Sequence, residues 1–269
     1  MRIDILKKES NLFLIALGFF TRIPIVKELD FSQQNLNQAS RYFSLVGWLI
    51  GFLCASSFYL MSLLLPVAIS ILVSMIVGFL LTGGFHEDGL ADSCDGLGGG
   101  WTAKDKLRIM KDSRIGSYGA LALWSVLSLK YFLLLEIISA NSVLGLLNVY
   151  VIFLIGHPIS RSLSTALIYA LPYVSDTETA KVKPLAQSNR TIDLVINLII
   201  GSSALFLLSG IAWKILLSQL MLFFILKWYF DRQVKGVTGD LLGAAQQLSE
   251  ILIYAVILSS LFVNLGGVV

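Results

Sequence analysis

The chain has 269 residues, 56% of them hydrophobic and 14% charged, with a formal net charge of +3 and a mean hydropathy of +0.81. Soluble domains average roughly 25% charged residues, so this composition excludes a soluble globule, and so small a net charge gives no argument for a nucleic-acid partner. The two cysteines, Cys54 in an apolar run and Cys94 in an acidic stretch, form neither a disulfide framework nor a CxxC pair.

Arg2, Lys7 and Lys8 precede a short apolar segment, Asn11 to Phe20, which Arg22 and Pro24 close. Such a segment is too short for the ~20 residues a spanning helix needs, so it is predicted as an interfacial or re-entrant helix. The Thr21-Arg22-Ile23-Pro24 that follows is no leader-cleavage site. Full spans are predicted at Tyr42 to Leu65, Val67 to Phe85, Ser117 to Ser139, Val143 to His157, Thr191 to Gly210, Ile211 to Phe230 and Leu248 to Leu265. Turns are expected at Pro66 and at Ala140-Asn141-Ser142.

One set of connecting segments carries Arg22, Lys27, Arg41, Lys104, Lys106, Arg108, Lys111, Arg114, Arg161, Lys181, Lys183, Arg190, Arg232 and Lys235. The opposite set carries none, although Lys214 lies close by. By the positive-inside rule the polar segments face the cytoplasm and the C-terminus lies outside. The expected fold is all-α: a polytopic bundle of about seven transmembrane helices plus the short N-terminal helix. It forms a single membrane-embedded domain, residues 1–269, in a cytoplasmic (inner) membrane.

Chemistry concentrates between Thr82 and Gly100. Asp88, Asp92 and Asp95 stand at i, i+4 and i+7 and share one face of a helix. Their mutual repulsion calls for a cation, and oxygen-only ligands suit Mg²⁺ before Zn²⁺. The glycines around them leave amides bare enough for a phosphate to approach. The alternation of an EF-hand loop is absent. His86, beside the acids, is a candidate ligand or acid/base, or equally a helix-capping hydrogen bonder. Cys94 is a poor nucleophile, since neighbouring carboxylates raise a thiol's pKa.

The next stretch, Lys104 to Gly119, places Arg108 and Lys111 three apart. Lys111 and Arg114 are suited to gripping a diphosphate, Arg by bidentate contacts, although a basic loop obeying the positive-inside rule reads the same way. Farther on, Asp240, Gln247 and Glu250 fall on one helical stripe. Glu250 enters the last span, where an ionisable group is costly and functional by default. The alternative there is an ordinary helix start capped by Thr238 or Asp240. Arg161, in His157-Pro158-Ile159-Ser160-Arg161, either reaches an anionic ligand or ends a span. Lys130 and Glu136 lie six apart in one span, off a common face. Trp124, Trp213, Trp228 and Tyr229 read as interfacial belt residues.

The run Gly83-Gly84-Phe85-His86-Glu87-Asp88-Gly89-Leu90-Ala91-Asp92-Ser93-Cys94-Asp95-Gly96, followed by Met110-Lys111-Asp112-Ser113-Arg114-Ile115-Gly116-Ser117-Tyr118-Gly119, resembles the cobalamin synthase (adenosylcobinamide-GDP ribazoletransferase) family. Thr21-Arg22-Ile23-Pro24, Arg41-Tyr42-Phe43 and Gly239-Asp240-Leu241-Leu242-Gly243-Ala244 extend the resemblance, in order, over nearly the whole chain. It implies an integral membrane, Mg²⁺-requiring transferase that joins adenosylcobinamide-GDP to α-ribazole or its 5′-phosphate and releases GMP.

On that expectation Asp88, Asp92 and Asp95, helped by Glu87, hold Mg²⁺ on the diphosphate, and Lys111 and Arg114, near Arg108, neutralise the departing GMP. A carboxylate or His86 takes the proton of the ribazole 5′-hydroxyl. Asp240, Glu250 and Arg161 are the further candidates for holding substrate. Expected partners are the two substrates and the lipid bilayer, with a second copy of the chain or other cobalamin-assembly enzymes left open. Two other readings compete. A CDP-alcohol phosphotransferase-like lipid enzyme would want Arg where Asp92 stands. A cation-coupled transporter would want its acids in mid-membrane broken helices.

Overall fold

The computed structural model describes residues 2–25, 28–144, 149–174, 190–208 and 210–264. Lys27, Lys181 and Lys183 lie outside them. Helices α1 (Arg2–Phe20), α2 (Gln33–Ala39), α3 (Phe43–Ser62), α4 (Val67–Thr82), α5 (Phe85–Gly99) and α6 (Ala103–Ile109) make the first half. The second half comprises α7 (Ser117–Leu144), α8 (Val149–Ala170), α9 (Thr191–Ser202), α10 (Ala212–Val234) and α11 (Gly239–Asn264). Among the described residues there is no strand, and one isolated bridge joins Tyr173 to Val237. The all-α polytopic expectation holds.

Five stretches are long and apolar enough to span: Gln33–Ser62, Ser117–Ala140, Tyr150–Ala170, Ala212–Val234 and Gly239–Val263. α4 and α5 together make a sixth if their bent pair counts as one. The expected seven becomes five or six for two physical reasons. The segment from Thr191 is helical for only 12 residues before tightening into a 3₁₀ turn, Ser203–Leu207. α4 has only 16 residues and stops at Gly83. Other boundaries move too. α7 runs through the turn expected at Ala140-Asn141-Ser142, and α8 continues past Pro158 to Ala170. The last span begins at Gly239, well before Leu248.

The N-terminal helix is longer and less peripheral than expected. Its 19 residues include the polar Lys7-Lys8-Glu9, and Leu12, Ile15 and Ala16 are fully buried. Arg41 fixes it in place. The guanidinium donates to Glu9 at 2.9 Å and 3.0 Å and to the buried carboxylate of Asp193 on α9, while the Tyr42 hydroxyl donates to Glu9 at 2.7 Å. Three separate parts of the chain thus meet on one cation.

The main apolar core gathers Ile50, Leu134, Ile137, Ile152 and Ile257 from α3, α7, α8 and α11. A smaller one, with Met110, Leu167, Phe230 and Leu241, sits beneath the loop after α6. The outer faces stay apolar and uncovered. Leu216, Leu220, Phe224 and Trp228 on α10, and Leu121, Trp124 and Phe132 on α7, are all exposed. Water would penalise such a surface, whereas bilayer hydrocarbon matches it.

Candidate active site

Gly83 and Gly84 both adopt left-handed backbone, with φ of 69° and 68°. Two such residues in succession are tolerated because neither has a Cβ. They end α4 and turn α5 away by 86°. Arg22 closes the corner: its amide donates to the Leu81 carbonyl at 2.7 Å, and its side chain lies over Gly83. Thr21, whose hydroxyl donates to Leu17 at 2.8 Å, ends α1 beside it.

The bend throws α5 across the N-terminal part of α11. The two touch at Gly89 and Gly243, where a Cβ on Gly89 would come within 2.9 Å of the Asp240 carbonyl oxygen. This close approach sets the acids of α5 against Asp240. The carboxylates of Asp88, Asp240 and Asp95 all bear on Asp92, and Lys111 is the cation among them. Lys111 Nζ lies 3.7 Å from Asp240 Oδ2. Asp88 is exposed and Asp92 partly so, which leaves this edge open to an incoming ligand. Asp240 Oδ2 and Glu87 Oε2 are buried without a hydrogen-bond partner. The Thr238 hydroxyl accepts from Leu241 N–H at 3.2 Å, so a capped helix start and the acidic stripe occupy the same turn.

The four acids of the motif separate by role. Asp95 is buried, and its two oxygens accept from the amides of Gly116 at 2.7 Å and Gly119 at 2.9 Å. It therefore satisfies the open N-terminus of α7 and ties α5 to it. Glu87 accepts from the Gln247 amide at 2.9 Å. Asp88 and Asp92 remain for a ligand.

Oxygen donors with no soft ligand among them fit a hard divalent ion. Among the described residues no group of three or more His, Cys, Asp or Glu side chains is placed to hold a metal ion by itself. Mg²⁺ does not require one, because it is held by one or two carboxylates plus substrate phosphates. The acids at this edge can offer one or two such carboxylates.

The basic residues divide similarly. Arg108 and Lys111 are exposed. Arg114 is exposed and donates to Asp112 at 2.6 Å and 3.0 Å. That guanidinium draws the Asp112 carboxyl down to about 2. Arg114 thus stays in water on the loop, with Asp112 as its partner.

Glu250 and Arg161, the further substrate candidates, lie in a second, interior cluster apart from Asp88 and Asp92. Lys130 Nζ meets Glu250 Oε1 at 2.7 Å, the Tyr254 hydroxyl donates to the same oxygen at 3.1 Å, and Gln246 donates to Oε2 at 2.9 Å. His157 lies 3.7 Å from Glu250, and Arg161 donates to the His157 carbonyl at 3.0 Å. Lys130 thus pairs with a residue 120 positions away rather than with Glu136. No local spacing signals that pairing, whereas Gln246 and Tyr254 stand at i−4 and i+4 from Glu250 on α11, a spacing the sequence does offer. His86 is also interior, 5% exposed. It packs against Phe20 and Phe85 and lines cavities that Asp88 and Asp92 do not.

Residues 12–258 match the family model described as cobalamin-5-phosphate synthase. The adenosylcobinamide-GDP ribazoletransferase of Shewanella frigidimarina is 49% identical over 253 residues, covering 94% of this chain and 95% of its own. That of Shewanella oneidensis is 51% identical over 252 residues, covering 93% and 95%. No solved structure matches.

Proposed function

The chain belongs to the cobalamin-5-phosphate synthase family, and on that premise we propose that it joins adenosylcobinamide-GDP to α-ribazole or α-ribazole 5′-phosphate, releasing GMP, at the Asp88–Asp92–Asp240 cluster. The observation that carries this reading is the crossing of α5 and α11 at Gly89 and Gly243, which sets three carboxylates and Lys111 around one open edge.

The chemistry is displacement at phosphorus. A ribose hydroxyl oxygen bonds to the phosphorus carried by the cobinamide, the bridging P–O bond breaks, and its electron pair leaves with GMP. A 5′-phosphate on ribazole survives into the product, so the attacking group is a secondary ribose hydroxyl rather than the 5′-hydroxyl expected from the sequence. We assign its proton to Asp92, because His86 opens onto interior cavities instead of the acid cluster. Asp88 and Asp240 would hold Mg²⁺ together with the substrate phosphates, and the ion when bound neutralises diphosphate charge and stabilises the leaving oxygen. Lys111 and Arg114 steer and hold the anionic GDP portion, and exposed Arg108 adds positive field. The exposed Lys104, Arg108, Lys111 and Arg114 support a cytoplasmic placement of this edge.

Purified protein given both substrates and Mg²⁺ should release GMP, and EDTA should stop it. Turnover that persists in EDTA would sink the metal-assisted reading. A protein that moves cations across vesicles without releasing GMP would restore the transporter.

A further inference from the structure

A cavity of about 220 Å³ lies behind the α5–α11 crossing. Phe19, Phe20, Phe43 and Phe85 wall one side, and His86 and Arg161 stand at its polar end. Phe20 meets Phe43 edge-on with centroids 4.3 Å apart, and Phe19 meets Phe85 likewise at 5.7 Å. Both ring nitrogens of His86 and Nε of Arg161 are buried without a hydrogen-bond partner. Buried polar atoms normally have partners, so this polar end is matched to something that enters the space.

We propose that this cavity receives the base of α-ribazole, with His86 donating to the ring nitrogen that carries no sugar. The inference rests on the proposed reaction for the identity of the ligand. The base of α-ribazole is a dimethylated benzimidazole, which is flat, bicyclic and apolar at its methylated edge, with one hydrogen-bond acceptor at the other end. An apolar cavity of roughly 150 Å³ holds a benzene ring, so about 220 Å³ suits one small bicyclic base and excludes a corrinoid. Edge-to-face aromatic walls favour a flat π-system over a flexible acyl chain.

The cavity also adjoins the chemistry. Gly239, in its wall, immediately precedes Asp240, and a Cβ there would meet only the Tyr173 hydroxyl, at 3.7 Å. The N-terminal edge of α11 is therefore bare, and the ribose can pass over it from the cavity to the acids.

The test uses full-length protein in detergent, titrated with α-ribazole alone by calorimetry and then assayed with both substrates. Leu242 lines the cavity and is outside the acid cluster. Leu242→Trp should weaken α-ribazole binding and raise its KM at least tenfold, leaving the KM for adenosylcobinamide-GDP within twofold. His86→Phe keeps the ring and removes the donor, and should weaken α-ribazole about tenfold. Leu242→Ala should admit nucleosides with a bulkier base that wild type rejects, and it answers the question if the Trp variant fails to fold. Wild-type turnover with an unchanged α-ribazole KM in Leu242→Trp overturns the subsite and leaves the proposed reaction standing. Wild type that binds α-ribazole through Leu242 and His86 but releases no GMP keeps the subsite and removes the reaction. A bound lipid chain that α-ribazole does not displace overturns the subsite.

Discussion

The polar clusters around Glu250 and around Asp92 are built on opposite terms. Around Glu250 the carboxylate is closed in, with Lys130 at 2.7 Å, Tyr254 at 3.1 Å and Gln246 at 2.9 Å occupying both of its oxygens. Around Asp92 the groups are unbalanced and open, with Asp88, Asp95 and Asp240 against the single cation Lys111. A membrane interior penalises an unpaired charge, so Glu250 is paired within the protein, in a cluster that joins α7, α8 and α11. The cluster around Asp92 keeps an excess of negative charge at an edge where a cation and a diphosphate can arrive. The presence of acids does not separate architecture from site here, but the state of their partners does.

Breaking the closed cluster should have the largest effect, and on stability. Lys130→Met strands Glu250, a loss of about 3–5 kcal/mol for a buried pair broken on one side. Thermal unfolding in detergent should fall sharply, and adding Glu250→Gln should restore much of it. Breaking the open cluster should leave stability alone. Asp92→Asn or Asp240→Asn should lower kcat by roughly 10²–10³-fold, the scale for losing one preorganised electrostatic group, with an unchanged melting temperature. Gly89→Leu sharpens the comparison, because the side chain would press on the Asp240 backbone. Overpacking there should cost about 1–3 kcal/mol and lower GMP release by moving Asp240 from Asp92. Arg114→Gln should act least, raising the KM for adenosylcobinamide-GDP by about tenfold, as expected for one charged hydrogen bond. That increase should shrink as salt screens the pair.

Much of the architecture was legible because hydrocarbon imposes it. Apolar runs mark most spans, and the i, i+4, i+7 acids mark α5 as a helix. Partners remote in sequence were not legible. Lys130 with Glu250, and Arg41 with Asp193, are 120 and 152 positions apart, and only the fold joins them. Asp95 looked equivalent to Asp88 and Asp92, since one helix face holds all three. Its capping of α7 depends on where Gly116 and Gly119 arrive. The Gly83-Gly84 pair was read as room for phosphate, whereas its positive φ angles make the bend that aims α5 at α11. The Thr191 span failed because the helix tightens into a 3₁₀ turn after 12 residues, which apolar character alone does not reveal.

The most direct test is GMP release from adenosylcobinamide-GDP and α-ribazole by purified protein, titrated with Mg²⁺, for wild type, Asp92→Asn and the Lys130→Met/Glu250→Gln double variant. The account predicts Mg²⁺-dependent release by wild type and by the double variant, and a loss of two orders of magnitude or more in Asp92→Asn. Full activity in Asp92→Asn, with release abolished in a folded double variant, would place the chemistry at the interior cluster and contradict it.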